Sequence, residues 1–220
     1  MCALSRKSGV MKSNTGIISR HGWNYIYYSL GVFVLFLLLD FETLSVLFLI
    51  VALFFAYLFR NPEIEVSNID ANTIFSVCDG KVTKIEELKE EDYGYKIEID
   101  TNYFDCAVLR APIPAKVTKL SLKRGTRLSK GAKLFHDLNE HAELLFIGEN
   151  NKNILVHHRL KQSLAPLFID VQDESDIMQT FRYGVAIDSI TSIYLPKNAV
   201  LDIRVGEKTE AGQTQLAHLS

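Results

Sequence analysis

The side chains able to do chemistry are few and scattered. Arg60, Arg110 and Arg182 match phosphate oxygens in charge and fork geometry, although an arginine in the position of Arg60, beside an apolar block, could equally snorkel towards lipid head groups. His157 and His158 are adjacent, and neighbours on a strand face opposite ways, which argues against both holding one ion. Cys2, Cys78 and Cys106 follow no metal-ligand spacing and read as small apolar residues of a reducing compartment, so no metal is expected. Asp79, followed by Gly80, is by itself a turn residue, and Ser189 by itself a strand serine.

Composition narrows what such residues can serve. The chain has 220 residues, 48% hydrophobic and 23% charged, with a net charge of -2, which excludes a disordered polyelectrolyte and a basic nucleic-acid binder. Three cysteines exclude a disulfide scaffold, and five prolines and twelve glycines exclude a collagen-like chain.

The elements that must position these residues fall into four stretches. Residues 1–24 form a basic segment carrying Arg6, Lys7, Lys12 and Arg20, with Met1 and Met11 both open as the start. Residues 25–59 carry only Asp40 and Glu42 as charges, in two apolar pieces separated by Asp40-Phe41-Glu42-Thr43. One straight helix there would be about 52 Å long, against a hydrocarbon core of roughly 30 Å. The pattern predicts a transmembrane hairpin in the cell membrane, lengthened by flanking Trp23, Tyr25 and Tyr57, with both termini and the following domain on the cytoplasmic side. A linker spans 60–72.

From residue 73 to 220 the apolar period is mostly two, as in Lys81-Val82-Thr83-Lys84-Ile85 and Tyr95-Lys96-Ile97-Glu98-Ile99, which predicts short strands and a mainly β fold. An internal repeat runs from Pro114 through Gly125, Gly131 and Leu134, and again from Pro196 through Gly206, Gly212 and Leu216. The paired units are similar to the hairpins of lipoyl and biotinyl carrier domains, but neither presents a lysine at a hairpin tip.

Taken in order, Arg20-His21-Gly22-Trp23, the apolar hairpin, Phe59-Arg60-Asn61-Pro62-Glu63, Cys78-Asp79-Gly80-Lys81-Val82, Phe104-Asp105, Arg110-Ala111-Pro112, Arg182-Tyr183-Gly184 and Tyr194-Leu195-Pro196 resemble the short, membrane-anchored phosphatidylserine decarboxylases. The resemblance extends over about residues 17–217 and implies a pyruvoyl-dependent carboxy-lyase of phospholipid biosynthesis. In that family the proenzyme cuts its own backbone at a Gly-Ser bond, and the serine becomes a pyruvoyl group that acts as an electron sink while carbon dioxide leaves phosphatidylserine.

Transferred position by position, the resemblance implies Ser189 as the pyruvoyl-forming serine, Asp188-Ser189 as the cleavage site and Asp79 as the catalytic acid. Arg60, Arg110 and Arg182 remain candidates for the lipid phosphate. Two positions depart from the pattern. The glycine before the serine is Asp188, and the histidine three residues before Arg110 is Ala107. The stretch 184–188 is also one residue shorter than the family's, and no Gly-Ser dipeptide occurs. The sequence therefore leaves two readings open: a decarboxylase, and a non-catalytic relative that binds anionic lipid or an active paralogue. A homo-oligomer is compatible with either.

Overall fold

The computed structural model describes residues 16–64, 72–89, 92–149 and 152–219. Most of the basic segment, both candidate starts, Cys2 and much of the expected linker lie outside them.

The apolar block folds as two antiparallel helices, α1 (Trp23–Leu38) of 16 residues and α2 (Glu42–Leu58) of 17. Between them Asp40 takes φ +55, a left-handed conformation that aspartate tolerates better than most residues. At 1.5 Å per residue each helix is about 25 Å long, short of a hydrocarbon core of about 30 Å. Among the described residues no helix is long and apolar enough to cross a membrane, which overturns the transmembrane hairpin and the cell-membrane placement built on it.

The reason lies at the ends of the helices, where the apolar length counted from sequence is already in use. Leu58 and Phe59 are each 1% exposed and pack with Ala107, Ala165, Val185 and Ile187. Tyr57 Oη donates to the Phe104 carbonyl at 3.0 Å. The chain before α1 is tied to the chain after α2 by Ser19 N–H to Phe59 O at 2.8 Å and Asn61 N–H to Ile17 O at 2.7 Å. His21 stacks on Phe168 with centroids 4.0 Å apart, and lies with Arg20 against Asp170. The flanking aromatic residues thus serve as a joint to the β domain.

That domain contains β1 (Thr73–Phe75), β2 (Gly80–Glu87), β3 (Tyr95–Thr101), β4 (Val108–Arg110), β5 (Ala115–Lys123), α3 (Phe135–Leu138), β6 (His141–Ile147), β7 (Asn153–Leu160), β8 (Phe168–Ile169), β9 (Ser175–Ile177), β10 (Arg182–Val185), β11 (Ser189–Leu195), β12 (Ala199–Leu201), β13 (Lys208–Thr209) and β14 (Gln215–Leu219). Eight strands form one antiparallel sheet in the order β13-β2-β3-β11-β7-β6-β5-β9, flanked by the three-stranded sheets β1-β14-β12 and β4-β10-β8. The mainly β reading from sequence agrees with this. Period two is literal in β6 and β7, where alternate residues are buried. Ile97, Ile99, Leu144, Phe146, Val156 and Ile193 make the inner face fully buried.

The two glycine-spaced repeats do not build equivalent hairpins. The first begins in the nine-residue β5 of the large sheet, and the second in the three-residue β12 of a different sheet. Gly206 and Gly212 adopt φ +96 and +73, whereas Gly125 and Gly131 are not left-handed. Equal spacing reflected separate turn requirements.

Candidate active site

Ser189 opens β11, opposite Thr101 of β3 and Leu160 of β7. Directly paired residues share a face, and all three are buried on the inner one. The Ser189 hydroxyl is buried and has no hydrogen-bond partner among the described residues. One step along the same face, His158 Nδ1 lies 2.9 Å from Thr191 Oγ1 and His158 Nε2 lies 2.7 Å from Tyr183 Oη. Burial pushes His158 down to about 3 and so keeps the imidazole neutral, with one nitrogen donating and the other accepting.

The residue before Ser189 carries strain. Asp188 has φ +49, a conformation that costs a non-glycine residue about 1–2 kcal/mol. Lys161 braces it: Nζ is 2.9 Å from Asp188 Oδ1 and 2.5 Å from Asp100 Oδ1, and the Lys161 N–H donates to Asp188 O at 2.8 Å. Burial alone would lower the pKa of this ammonium, but the bonds to Asp100 and Asp188 outweigh it and raise the value.

Asp79 sits in the turn entering β2. At Gly80 a Cβ would come within 2.5 Å of the Asp100 carbonyl oxygen, so this turn requires glycine. The Asp79 carboxylate accepts the Ala211 N–H at 2.7 Å and the Cys106 N–H at 3.3 Å, and the Asp79 carbonyl accepts Thr101 Oγ1–H at 2.6 Å. Burial raises the Asp79 pKa against those two N–H bonds, with the nearby Glu210 and Asp105 adding to the rise. Thr101 therefore bridges the Asp79 turn and the Ser189 strand. Ala107, one residue from Cys106, is 3% exposed and packs on Leu58, Phe59, Val185 and Ile187. The position at which the resemblance implies a histidine is thus an apolar contact with the end of the helical pair.

Asp79 also lines a cleft of about 160 Å³ with Arg60, Arg110 and Glu210. Arg60 donates to the carbonyls of Tyr57 at 3.2 Å and Phe104 at 2.8 Å, with its guanidinium 4.2 Å from the centroid of the Tyr57 ring. Arg110 donates to Pro62 O at 2.7 Å and Thr180 O at 3.2 Å, and burial together with the charge of Arg182 lowers it to about 10. Arg182 reaches the same Pro62 carbonyl at 3.0 Å but does not line the cleft. The structure thus brings Asp79, Arg60 and Arg110 together, sets Arg182 beside them and buries Ser189 behind Thr101.

Sequence reasoning missed Lys161, Asp100 and the His158–Tyr183 pair. Their separation in sequence hid them, since β3 and β7 are visible as the two neighbours of β11 only once strand order is known. His157 and His158 do point to opposite faces, half-buried and buried. Among the described residues no group of three or more histidine, cysteine or acidic side chains could hold a metal. Cys78 and Cys106 are buried free thiols, and burial pushes Cys78 up to about 12.

Comparison with known proteins bears directly on this geometry. The family model for phosphatidylserine decarboxylase matches residues 51–217. A phosphatidylserine decarboxylase proenzyme of Desulfotalea psychrophila is 30% identical over 189 residues, covering 81% of this chain and 85% of that protein. Proenzymes of Syntrophotalea carbinolica and Syntrophus aciditrophicus are each 28% identical, over 95% and 90% of this chain and 100% and 96% of theirs. The chain belongs to the phosphatidylserine decarboxylase family.

Proposed function

We propose that this chain is a family member that takes a phospholipid head group in the Arg60–Arg110–Asp79 cleft and does not process itself efficiently at Ser189. The cleft offers guanidinium donors for a phosphate and the carboxylates of Asp79 and Glu210 for an ammonium, which suits the mixed charges of a phosphatidylserine head group.

The observation that carries the reading is the Ser189 hydroxyl, buried with no base in hydrogen-bond contact among the described residues. The family's pyruvoyl group would have to be made from this serine, and the surroundings do not fit its formation. Ala107 supplies no proton acceptor, the Asp79 carboxylate is engaged by two backbone N–H groups, and Asp188 brings a side chain held by Lys161. Loss of a general base typically costs about 10²- to 10⁴-fold in rate.

A second reading, slow self-processing, is favoured by one feature. The Asp188 carbonyl, the group that Ser189 would attack, already accepts the Lys161 N–H at 2.8 Å, as an oxyanion would need. Intact mass of the purified chain separates the two. The first reading expects one full-length species and no carbon dioxide release from phosphatidylserine vesicles. A stoichiometric fragment of about 3.5 kDa from residues 189–220, lost in Ser189→Ala, would establish processing instead.

A further inference from the structure

The face of β11 opposite Ser189 carries a second and larger hollow, of about 580 Å³, which the family chemistry leaves unused. Its floor is set by register. Ile190, Ser192 and Tyr194 point outward from β11, paired on β7 with Arg159, His157 and Leu155 and on β3 with Asp100, Glu98 and Lys96. The short α3 forms its rim, with Phe135 and His136.

Charge pairing within the hollow is uneven. Lys96 is bound to Glu98 at 2.7 Å, Lys130 to Asp100 at 3.3 Å and Lys84 to Glu86 at 2.6 Å. Arg159 makes no ion pair among the described residues and its Nε is buried with no hydrogen-bond partner, although Glu98 and Glu143 line the same hollow and, with Asp137, act on its charge from further away. Its contacts are instead two imidazoles, His136 Nδ1 at 3.1 Å from Nη1 and His157 Nε2 at 3.4 Å from Nη2. A guanidinium only donates, so both ring nitrogens facing it must accept, and each neutral ring then carries its N–H on the other nitrogen. Burial, with the Arg159 charge behind it, lowers His157 to about 3, consistent with a neutral ring. The result is a guanidinium in direct contact with imidazoles and paired with no carboxylate among the described residues, in a hollow within the size range of small-molecule sites.

We infer that this hollow binds a small anionic metabolite whose phosphate or carboxylate oxygens sit on the Arg159 guanidinium, with the half-exposed Lys130 at its rim. A ligand here would lie on the solvent side of the strand that begins at Ser189. The inference does not depend on the head-group reading of the other cleft.

The test is calorimetric titration of the full chain with inorganic phosphate and, separately, citrate. It is done in an Arg60→Gln background so that the Arg60–Arg110 cleft does not report. Saturable binding is expected, weakened about tenfold or more by Arg159→Gln and by Arg159→Lys, which keeps the charge but loses the fork. Phosphate binding without citrate binding assigns a phosphate ligand, and the converse a carboxylate. Should Arg159→Gln fail to fold, Lys130→Glu at the half-exposed rim reverses one charge without disturbing the core and must also weaken binding. No saturable binding of either anion, or unchanged affinity in the folded Arg159 and Lys130 variants, would overturn the site.

Discussion

Lys161 grips Asp188 from two sides, with its ammonium 2.9 Å from the carboxylate and its backbone N–H 2.8 Å from the carbonyl. This double contact accounts for a left-handed, non-glycine residue in front of Ser189. The ion pair and the backbone bond together offset a conformational cost of about 1–2 kcal/mol, and Asp100 shares the same ammonium. Where the resemblance implies a flexible glycine, this chain has a pinned peptide.

Removing the ammonium should therefore cost stability. Lys161→Met leaves Asp188 and Asp100, 12% and 21% exposed, without their shared cation. The expected loss is about 2–4 kcal/mol, below the fully buried limit because water reaches both carboxylates. The Lys161 pKa is raised above its ordinary 10.5, so its contribution is complete below that pH and is lost as pH rises through the folded value. Urea unfolding at pH 8 and pH 11 should show the gap between wild type and variant narrowing at the higher pH. Equal stability at pH 8 would mean that the pair does not hold the strand entry.

Asp188→Gly alone should leave the chain uncut. It removes the side chain and supplies a residue at ease at positive φ, but the Ser189 hydroxyl still has no base in hydrogen-bond contact among the described residues. Adding Ala107→His supplies one only if the ring fits among Leu58, Phe59, Val185 and Ile187, where overpacking costs about 1–3 kcal/mol. Intact mass of the single variant is the measurement. Release of 189–220 by Asp188→Gly alone would show that the missing histidine is not the obstacle.

Gly212 bears on the first cleft. It has φ +73, and a Cβ there would lie 2.9 Å from Arg110 Cδ and 2.7 Å from Ile64 Cδ1. Gly212→Ala should therefore displace the Arg110 stem and weaken binding of phosphatidylserine vesicles, together with a stability loss of about 1 kcal/mol or more from the left-handed backbone. Vesicle co-sedimentation compared with Gly131→Ala, whose Cβ would meet nothing within 4 Å, isolates the local effect. Equal binding by the two variants would count against that cleft as the lipid site.

The β domain was legible because β6 and β7 alternate cleanly and because ordered short motifs identify the family. The helical pair was legible as two apolar segments but not in its role. Leu58 and Phe59 have the same side-chain chemistry whether they meet lipid or Ala107 and Val185, and only tertiary contact tells these apart. At the site, Asp79 and Ser189 read by themselves as a turn residue and a strand serine, and only the resemblance to the family singled them out. Lys161 and His158 were not singled out, because a lone lysine and a strand histidine acquire meaning only from their neighbours on β3, β10 and β11.

His158 provides the clearest pH prediction. It is fully buried, flanked by Thr191 and Tyr183, with its pKa pushed down to about 3 from 6.5, chiefly by burial. Below pH 6.5 the unfolded chain takes up a proton here that the folded chain refuses. Stability should therefore fall as pH drops, by up to about 1.4 kcal/mol per unit, until pH nears 3. Half-buried His157, also lowered to about 3, adds a smaller slope of the same sign, discounted for its exposure to solvent. A carboxylate with a lowered pKa acts in a lower window, one with a raised pKa above its ordinary value. Asp170, whose pKa is lowered despite burial by its bonds to His21 and Arg20, loses its contribution only as pH falls below its ordinary 3.8, and Asp79, raised by burial, opposes the trend. The fall between pH 7 and pH 5 thus belongs mainly to histidine. The unfolding free energy of His158→Gln from urea titration should be lower at pH 7, by about 1–3 kcal/mol for the hydroxyl left unpaired, and should decline less steeply towards pH 5 than wild type. Parallel declines in the two proteins would show that the buried imidazole is not what acid attacks.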